Sequence, residues 1–172
     1  FPESYWRFCA ALGKRGMNVL GIGDCPYDEL RQELKAALTE YYKVNSLENY
    51  DEVYRAVAFF AFKYGRIDWL ESNNEYWLEQ NARLRDDFNI STGFRSADMP
   101  PVKFKSKMKA RYEAAGIPVA RYRMADDLPA CLAFLKEVGR AVVKPDNGVG
   151  ANATYRIESE AALRAFFAEG HT

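Results

Sequence analysis

The chain has few of the residues on which several common kinds of site depend. Its only histidine is His171, so this sequence offers neither a histidine-based catalytic triad nor an HExxH zinc site. Its three cysteines, Cys9, Cys25 and Cys131, lie far apart and form no CxxC pair. Such a sparse set argues against a disulfide framework and favours a reducing compartment, so we expect a cytoplasmic protein.

The sequence also lacks an excess of charge and a long apolar run. Lys and Arg together number 24, the same as Asp and Glu, which disfavours nucleic acid and anionic membranes as partners. No apolar run approaches the roughly 20 residues that are needed to span a bilayer. The hydrophobic fraction of 48% and the aromatic fraction of 15% indicate a globular chain with large side chains in its cores.

Two familiar nucleotide-binding motifs are missing or incomplete. No GxxxxGK[ST] segment occurs, which excludes a P-loop. Gly21 and Gly23 form a GxG after a predicted strand, but the third glycine is replaced by Pro26. Proline can neither donate an N–H nor allow the close packing that a dinucleotide requires, so an NAD site is disfavoured.

The first half of the chain alternates between helical and strand patterns. Strands are predicted at 17–22, 41–44 and 67–70, and helices at 27–38, 50–64 and 74–88. This order predicts an α/β, doubly wound domain with parallel strands, which we assign to residues 1–98. A helical pattern comes first, over residues 5–12, so we expect the first strand of this domain to precede Phe1.

The second half has a different pattern, which begins after a stretch rich in turn residues at 91–102. Its predicted helices are 103–115, 128–138 and 159–168, and its predicted strands are 119–124, 141–144 and 153–157. The last two strands flank a glycine-bearing loop, which predicts an antiparallel hairpin. We therefore expect a second, α+β domain over residues 99–172.

Cations and glycines in this second half suit the binding of phosphate. Lys144 ends a predicted buried strand, where its ammonium is costly unless it meets an anion. The glycines of the following loop, 145–150, allow backbone N–H groups to approach phosphates closely. Four lysines, at 103, 105, 107 and 109, open the helix that ends before Gly116-Ile-Pro118. Taken separately, these features are better explained as an ordinary hairpin and a solvated helix face.

Taken together, the segments resemble the ATP-grasp superfamily, in the branch of carbamoyl phosphate synthetase and biotin carboxylase. The shared order is a basic helix, a Gly-Ile-Pro turn, a strand ending in Lys-Pro, and a glycine-rich loop. The resemblance implies a doubly wound pre-ATP-grasp domain followed by the first α+β subdomain of an ATP-grasp fold, which is incomplete in this sequence.

The resemblance also implies roles for particular residues. Lys105 and Lys144 would contact the nucleotide phosphates, with Lys107 as the alternative if the helix register differs. The loop that closes over the triphosphate would contain Gly148, Val149 and Gly150. Because a carboxylate would repel phosphate, we expect Asp146 to face solvent or a metal. Glu75 resembles the family's substrate-side acid, although a surface carboxylate at a helix N-terminus is the simpler reading.

The function implied is that of an enzyme, an ATP-dependent carboxylate–amine ligase that forms an acyl phosphate from a small carboxylate, with ATP and Mg²⁺ as cofactors. The family's magnesium ligands belong to a later subdomain, so we expect the segment 1–172 alone to be inactive. Two alternatives stay open: a nucleotide-binding module without catalysis, and an ATP-grasp kinase. Apolar surface left by an absent subdomain would favour a homo-oligomer.

Overall fold

A computed structural model of the chain describes residues 4–148 and 153–170. The described residues form two compact units. The first comprises those of Phe1–Glu71 and Leu84–Gly93, and the second those of Ser72–Arg83 and Phe94–Thr172. The domains 1–98 and 99–172 stay a prediction about how the whole chain is organised.

The first unit contains two parallel strands and the helices that connect them. Its elements are α1 (Trp6–Gly13), β1 (Leu20–Gly23), α2 (Gln32–Ala37), β2 (Glu40–Lys43) and α3 (Tyr50–Tyr64), followed by the last residues of α4 (Leu78–Asp87). Strand β1 pairs in parallel with β2, with Leu20 opposite Glu40 and Gly23 opposite Lys43. The parallel pairing that the alternating pattern predicts is therefore confirmed for these two strands.

Helix α3 has the bounds that the sequence predicts, because its signals are local. The side chain of Asn49 accepts hydrogen bonds from the N–H groups of Asp51 and Glu52, which caps the first turn. Val53 and Val57 are buried on one face and pack with Leu84 in the core of the first unit. The periodic apolar face and the cap therefore agree.

The predicted helix over 27–38 is shorter than expected. It consists of a 3-10 turn, Tyr27–Glu29, and helix α2, separated by extended backbone at Leu30 and Arg31. The ammonium of Lys35 donates to the carbonyl of Asp28 over 2.9 Å, and a continuous helix would use that carbonyl for Gln32. The Lys35 side chain therefore takes the place of one backbone hydrogen bond of the predicted helix.

The predicted third strand, 67–70, is wrong, since no strand is assigned there and the segment pairs with no strand among the described residues. Side chains bind the carbonyls that a strand would offer to a neighbour. The guanidinium of Arg85 donates to Leu70 O through Nε at 3.1 Å and Nη2 at 2.6 Å. The hydroxyl of Thr92 donates to Asp68 O. Ile67 and Leu70 still pack against the core. The apolar pattern of this segment therefore indicates its packing correctly, but not its backbone hydrogen bonds.

Arg85 is the most deeply buried charged residue of this unit, with 2% of its surface exposed. Its Nη2 also forms an ion pair with Glu71 at 2.9 Å. A Cβ atom on Gly93 would lie 2.8 Å from Arg85 Nε, and the φ of Gly93 is +84°. Bonds to Leu70 and Glu71 thus compensate the desolvation of the guanidinium, which lies flat against a glycine.

The second unit contains an antiparallel hairpin with helices packed on it. Its elements are the first residues of α4, then α5 (Pro100–Lys103), α6 (Lys105–Ala114), α7 (Leu128–Val138), β3 (Ala141–Val143), β4 (Tyr155–Ile157) and α8 (Glu160–Ala168). Val142 lies opposite Arg156, so the predicted antiparallel hairpin is confirmed. The core is built from α7, β4 and α8 through Cys131, Leu135, Ile157, Leu163 and Phe166.

Two predictions for this unit are wrong in detail. The predicted helix 103–115 is interrupted at Phe104, whose ψ is 122°, because Lys105 N–H donates to Asp146 O rather than to the carbonyl four residues before it. The predicted strand 119–124 has no partner strand among the described residues. There the ammonium of Lys109 binds Ala120 O and the thiol of Cys131 binds Met124 O. In both places a group distant in sequence takes the hydrogen bond that a helix or a neighbouring strand would otherwise supply.

Candidate functional site

The second unit contains a cavity of about 1150 Å³. It lies among helix α6, the segment 120–126, helix α7, the hairpin and helix α8. Its walls are mainly apolar, with Phe134 and Phe166 among them, and three lysines contribute to its lining, namely Lys105, Lys109 and Lys144. Other charged side chains also line it, namely Arg121, Arg123, Arg140, Arg156, Asp126, Asp146 and Glu158. An apolar cleft in which cations outnumber carboxylates suits a small anionic ligand.

Helix α6 presents alternate lysines to different surroundings. Lys105 and Lys109 are four residues apart and both line the cavity, whereas Lys107 is exposed and is not among the lining residues. The ammonium of Lys109 lies 4.7 Å from the ring centroid of Tyr122 and donates to Ala120 O over 3.0 Å. Sequence reasoning did not select Lys109, although its i+4 spacing from Lys105 places it on the same face.

Lys105 is bound to the loop that follows β3. Its backbone N–H donates to Asp146 O over 2.9 Å. Its ammonium donates to Asp146 O over 3.3 Å and to Gly148 O over 3.1 Å. The structure therefore places Lys105 directly against the described part of the predicted phosphate-binding loop.

Asp146 corrects the expectation that it faces open solvent, because its half-buried carboxylate is bound by Ser106, whereas the alternative that it faces a metal stays a prediction. Its Oδ1 accepts from the N–H of Ser106 and its Oδ2 from the hydroxyl of Ser106, each over 2.7 Å. Phe104, the residue before α6, has no side chain that can cap the helix. The half-buried carboxylate of Asp146 supplies this cap from forty residues away in sequence.

Lys144 lies directly after β3 and lines the same cavity as Lys105. Its side chain is exposed, so the burial cost that the sequence suggested does not arise. The structure records no hydrogen bond or ion pair from its ammonium to any other described residue. Lys144 is therefore a cation at the cavity wall that a ligand can reach without displacing a partner among residues 4–148 and 153–170.

Tyr122 lies at the α6 side of the cavity. Partial desolvation raises the pKa of its hydroxyl above the ordinary value, and the negative charge of Glu113 raises it further. The hydroxyl lies 3.5 Å from both Ser106 O and Glu113 Oε2. The raised pKa keeps the phenol neutral at physiological pH, and the Lys109 ammonium lies over its ring.

The remaining predicted site residues lie elsewhere. Glu75 is exposed at the start of a 3-10 turn, Glu75–Trp77, which Asn74 caps through the N–H of Tyr76, and it does not line the cavity. Its assignment as a substrate-side acid stays a prediction. Gly148 has a φ of +130° with open space around it, while Val149 and Gly150 lie outside the described residues.

Neither a cluster of metal ligands nor a membrane-spanning helix is present among the described residues. Within residues 4–148 and 153–170, no group of three His, Cys, Asp or Glu side chains is placed to hold a metal ion. In those ranges no helix is long and apolar enough to cross a membrane. The cations of the cavity are thus the main electrostatic feature from which a function can be argued.

Comparison with known proteins identifies the fold. No protein-family model and no curated protein sequence matches the chain. Over 95% of its length it is similar in structure to the biotin carboxylase domain of 2-oxoglutarate carboxylase from Hydrogenobacter thermophilus, with a TM-score of 0.73 and 17% identity. That protein was crystallised as a domain dimer with MgADP, ADP and bicarbonate. Over 93% of its length it is similar to L-amino acid ligase from Bacillus licheniformis, with a TM-score of 0.57 and 16% identity.

Both neighbours have the ATP-grasp fold, so the predicted fold class is confirmed as an incomplete ATP-grasp fold of the biotin carboxylase type. The chain spans 37% of the biotin carboxylase chain and 39% of the ligase chain. At these identities the likeness establishes the fold, and function has to be argued from the site.

Proposed function

We propose that the cavity of the second unit binds the phosphates of a nucleotide, ATP, on behalf of an ATP-dependent ligase. The observation that carries the proposal is that Lys105 and Lys144, which are distant in sequence, line one cavity beside the same loop. The two ammonium groups provide positive charge for the phosphates of a nucleoside diphosphate or triphosphate. The apolar walls of the cleft provide a surface for the nucleobase. The MgADP bound by the biotin carboxylase neighbour supports this choice, and we propose that Mg²⁺ accompanies the nucleotide.

The reaction that we propose for the whole protein is carboxylate activation. ATP phosphorylates a small carboxylate, and an amine or a related nucleophile then displaces phosphate from the acyl phosphate. Lys105 and Lys144 would neutralise charge on the nucleotide, which is a large part of catalysis in phosphoryl transfer. Both structural neighbours act on carboxylates or bind bicarbonate according to their names, which supports the substrate class.

Removal of either lysine tests the nucleotide site. We expect Lys105→Ala and Lys144→Ala each to raise the dissociation constant for MgADP about tenfold or more, because a hydrogen bond to a charged group contributes roughly 1.5–3 kcal/mol. Isothermal titration calorimetry measures this constant directly. Lys136→Ala is the charge-matched control, because Lys136 is exposed on α7 and does not line the cavity.

Two outcomes would contradict the assignment. Equal losses in Lys105→Ala, Lys144→Ala and Lys136→Ala would show a non-specific charge effect. A loss confined to Lys107→Ala would instead support the alternative register of helix α6. In the whole protein, product analysis separates the possible activities: an amide indicates the ligase, a phosphorylated carboxylate alone indicates the kinase, and neither product indicates a nucleotide-binding module.

The proposal extends to the cellular location and the oligomeric state of the protein. We place the protein in the cytoplasm, which agrees with three free cysteines among the described residues. We also propose a homo-oligomer, because several large apolar side chains are exposed, with Phe62 at 92%. Light scattering of the purified chain measures the oligomeric state.

A further inference from the structure

We propose that Asp146 is a positioning residue, which holds Lys105 in place for a nucleotide by joining the start of helix α6 to the loop after β3. The inference rests on the nucleotide site proposed above, and it assigns the ordering of that site to a carboxylate whose charge alone would oppose phosphate binding. Three features carry it: the cap on α6, the tether on the Lys105 ammonium, and the position of Asp146 in the cavity wall.

The cap fixes the backbone that carries Lys105. An isolated helix leaves its first N–H groups without partners. In α6, Lys105 N–H binds Asp146 O over 2.9 Å and Ser106 N–H binds Asp146 Oδ1 over 2.7 Å, so the first two residues are held by one distant residue. The hydroxyl of Ser106 adds a bond to Asp146 Oδ2. The two carboxylate oxygens are thereby engaged by the helix start rather than left facing a ligand.

The tether fixes the side chain itself. A lysine ammonium has three donor hydrogens on a flexible stem, and ordering this stem opposes binding. The carbonyls of Asp146 and Gly148 accept from Lys105 Nζ over 3.3 and 3.1 Å. Among the described residues these two acceptors leave one N–H of the ammonium for a ligand, and they fix its direction. Part of the entropy cost of binding a phosphate is therefore met before the ligand arrives.

The charge of Asp146 makes the proposal testable by sign. Asp146 lines the cavity together with Lys105 and Lys144. If its carboxylate acted only as a nearby negative charge, its removal would strengthen nucleotide binding. If it acts by positioning Lys105, its removal weakens binding, although one negative charge has been taken away.

The experiment compares variants of Asp146 in the full chain by calorimetry with MgADP. We expect Asp146→Ala to raise the dissociation constant about five- to tenfold, the factor that corresponds to loss of a helix cap. Asp146→Asn keeps an oxygen that can accept from Ser106 N–H, so it should restore most of the affinity. In a Lys105→Ala background, Asp146→Ala should change the constant less than about twofold, because the two residues act through one interaction.

Amide hydrogen exchange by NMR gives a readout that needs no nucleotide. In the unliganded chain, exchange of the Ser106 amide should accelerate about tenfold in Asp146→Ala. Asp127→Ala is the matched control, since Asp127 caps α7 through Ala130 N–H over 3.1 Å and does not line the cavity. It should accelerate exchange at Ala130 and leave MgADP affinity unchanged.

Each outcome decides the matter. Tighter binding by Asp146→Ala, or unchanged binding with faster Ser106 exchange, would overturn the positioning role. An effect of Asp146→Ala that persists undiminished in the Lys105→Ala background would also overturn it. If the wild-type chain binds no MgADP while the Ser106 amide still depends on Asp146, the nucleotide site itself fails and the cap remains as a local structural feature only.

Discussion

Each unit has a glycine-bearing segment at a strand, within β1 in the first unit and after β3 in the second, and the two segments have different surroundings. In the first unit, the space beside Gly23 is filled, since a Cβ there would lie 2.5 Å from Tyr41 Oη. In the second unit, no described atom lies within 4 Å of the corresponding point on Gly148. The first segment is closed by a tyrosine of the neighbouring strand, and the second borders a cavity.

This difference explains why only one of two similar-looking motifs is a candidate nucleotide site. Tyr41 donates its hydroxyl to Cys25 O over 2.7 Å, and Gly21 lies against Leu38, so the GxG of the first unit is used for packing within the unit. Glycine lets a backbone approach a ligand or a side chain equally well. In the first unit the approaching group is a side chain, Tyr41 of the neighbouring strand β2, so no ligand can take that position.

The largest effect is expected at Gly23. Gly23→Ala should lower the free energy of unfolding by about 1–3 kcal/mol, because the added methyl group forces the Tyr41 ring and its hydrogen bond to move. Chemical denaturation followed by circular dichroism measures this change. Gly13→Ala is the control, since the nearest atom to a Cβ there lies at 3.9 Å, and it should be neutral or slightly stabilising. Equal losses in both variants would mean that Tyr41 does not close the Gly23 segment.

A smaller and pH-dependent effect is expected from Tyr41. Burial, together with the nearby Cys25 and Asp24, raises the pKa of its hydroxyl from the ordinary value of 10.0 to about 12. The unfolded chain therefore loses this proton first, so the stability contributed by the neutral phenol is present below about pH 10 and is lost as the pH rises towards 12. Denaturation midpoints measured from pH 8 to 12 should fall more steeply for the wild type than for Tyr41→Phe.

The stability of Tyr41→Phe at neutral pH provides a second test of the same hydrogen bond. Tyr41→Phe removes the bond to Cys25 O and should lower stability by about 1 kcal/mol at pH 7. Identical slopes above pH 10 for the two proteins would show that Tyr41 ionises alike in the folded and unfolded chains.

The smallest effect on stability is expected at Gly148. Gly148→Ala meets no described atom within 4 Å, but its φ of +130° is one that alanine rarely adopts, so we expect a loss of about 1 kcal/mol, the lower end for backbone strain. Because Gly148 O binds Lys105 Nζ, the affinity for MgADP should nevertheless decrease. Calorimetry beside denaturation distinguishes the two quantities. A Gly148→Ala loss of stability as large as that of Gly23→Ala would remove the contrast between the segments.

Sequence reasoning succeeded where the signals are local. Helices α3 and α7 have the predicted bounds, because Asn49 and Asp127 cap their own first turns. The hairpin of β3 and β4 was also predicted, since its strands are neighbours along the chain. In each case the deciding groups lie within a few residues of the element that they define.

It failed where a distant side chain takes the place of a backbone partner. No feature near 67–70 indicates that Arg85 binds Leu70 O, and none near α6 indicates that Asp146 caps it. These contacts depend on tertiary approach, which hydrophobic periodicity does not encode. Two of the three lysines that line the cavity, Lys105 and Lys144, were nevertheless selected, because a resemblance in segment order carries tertiary information that single patterns lack.

The contact between Arg85 and Gly93 constrains the order in which the two positions can evolve. Gly93 satisfies two separate requirements, a φ of +84° and the 2.8 Å approach of the guanidinium. Replacing Arg85 relieves only the second, so position 93 still favours glycine. Arg85 can therefore be replaced while Gly93 is kept. Replacing Gly93 stays unfavourable even after Arg85 has been lost, because the positive φ remains. Glycine should therefore persist at this site in homologues from which the arginine has disappeared.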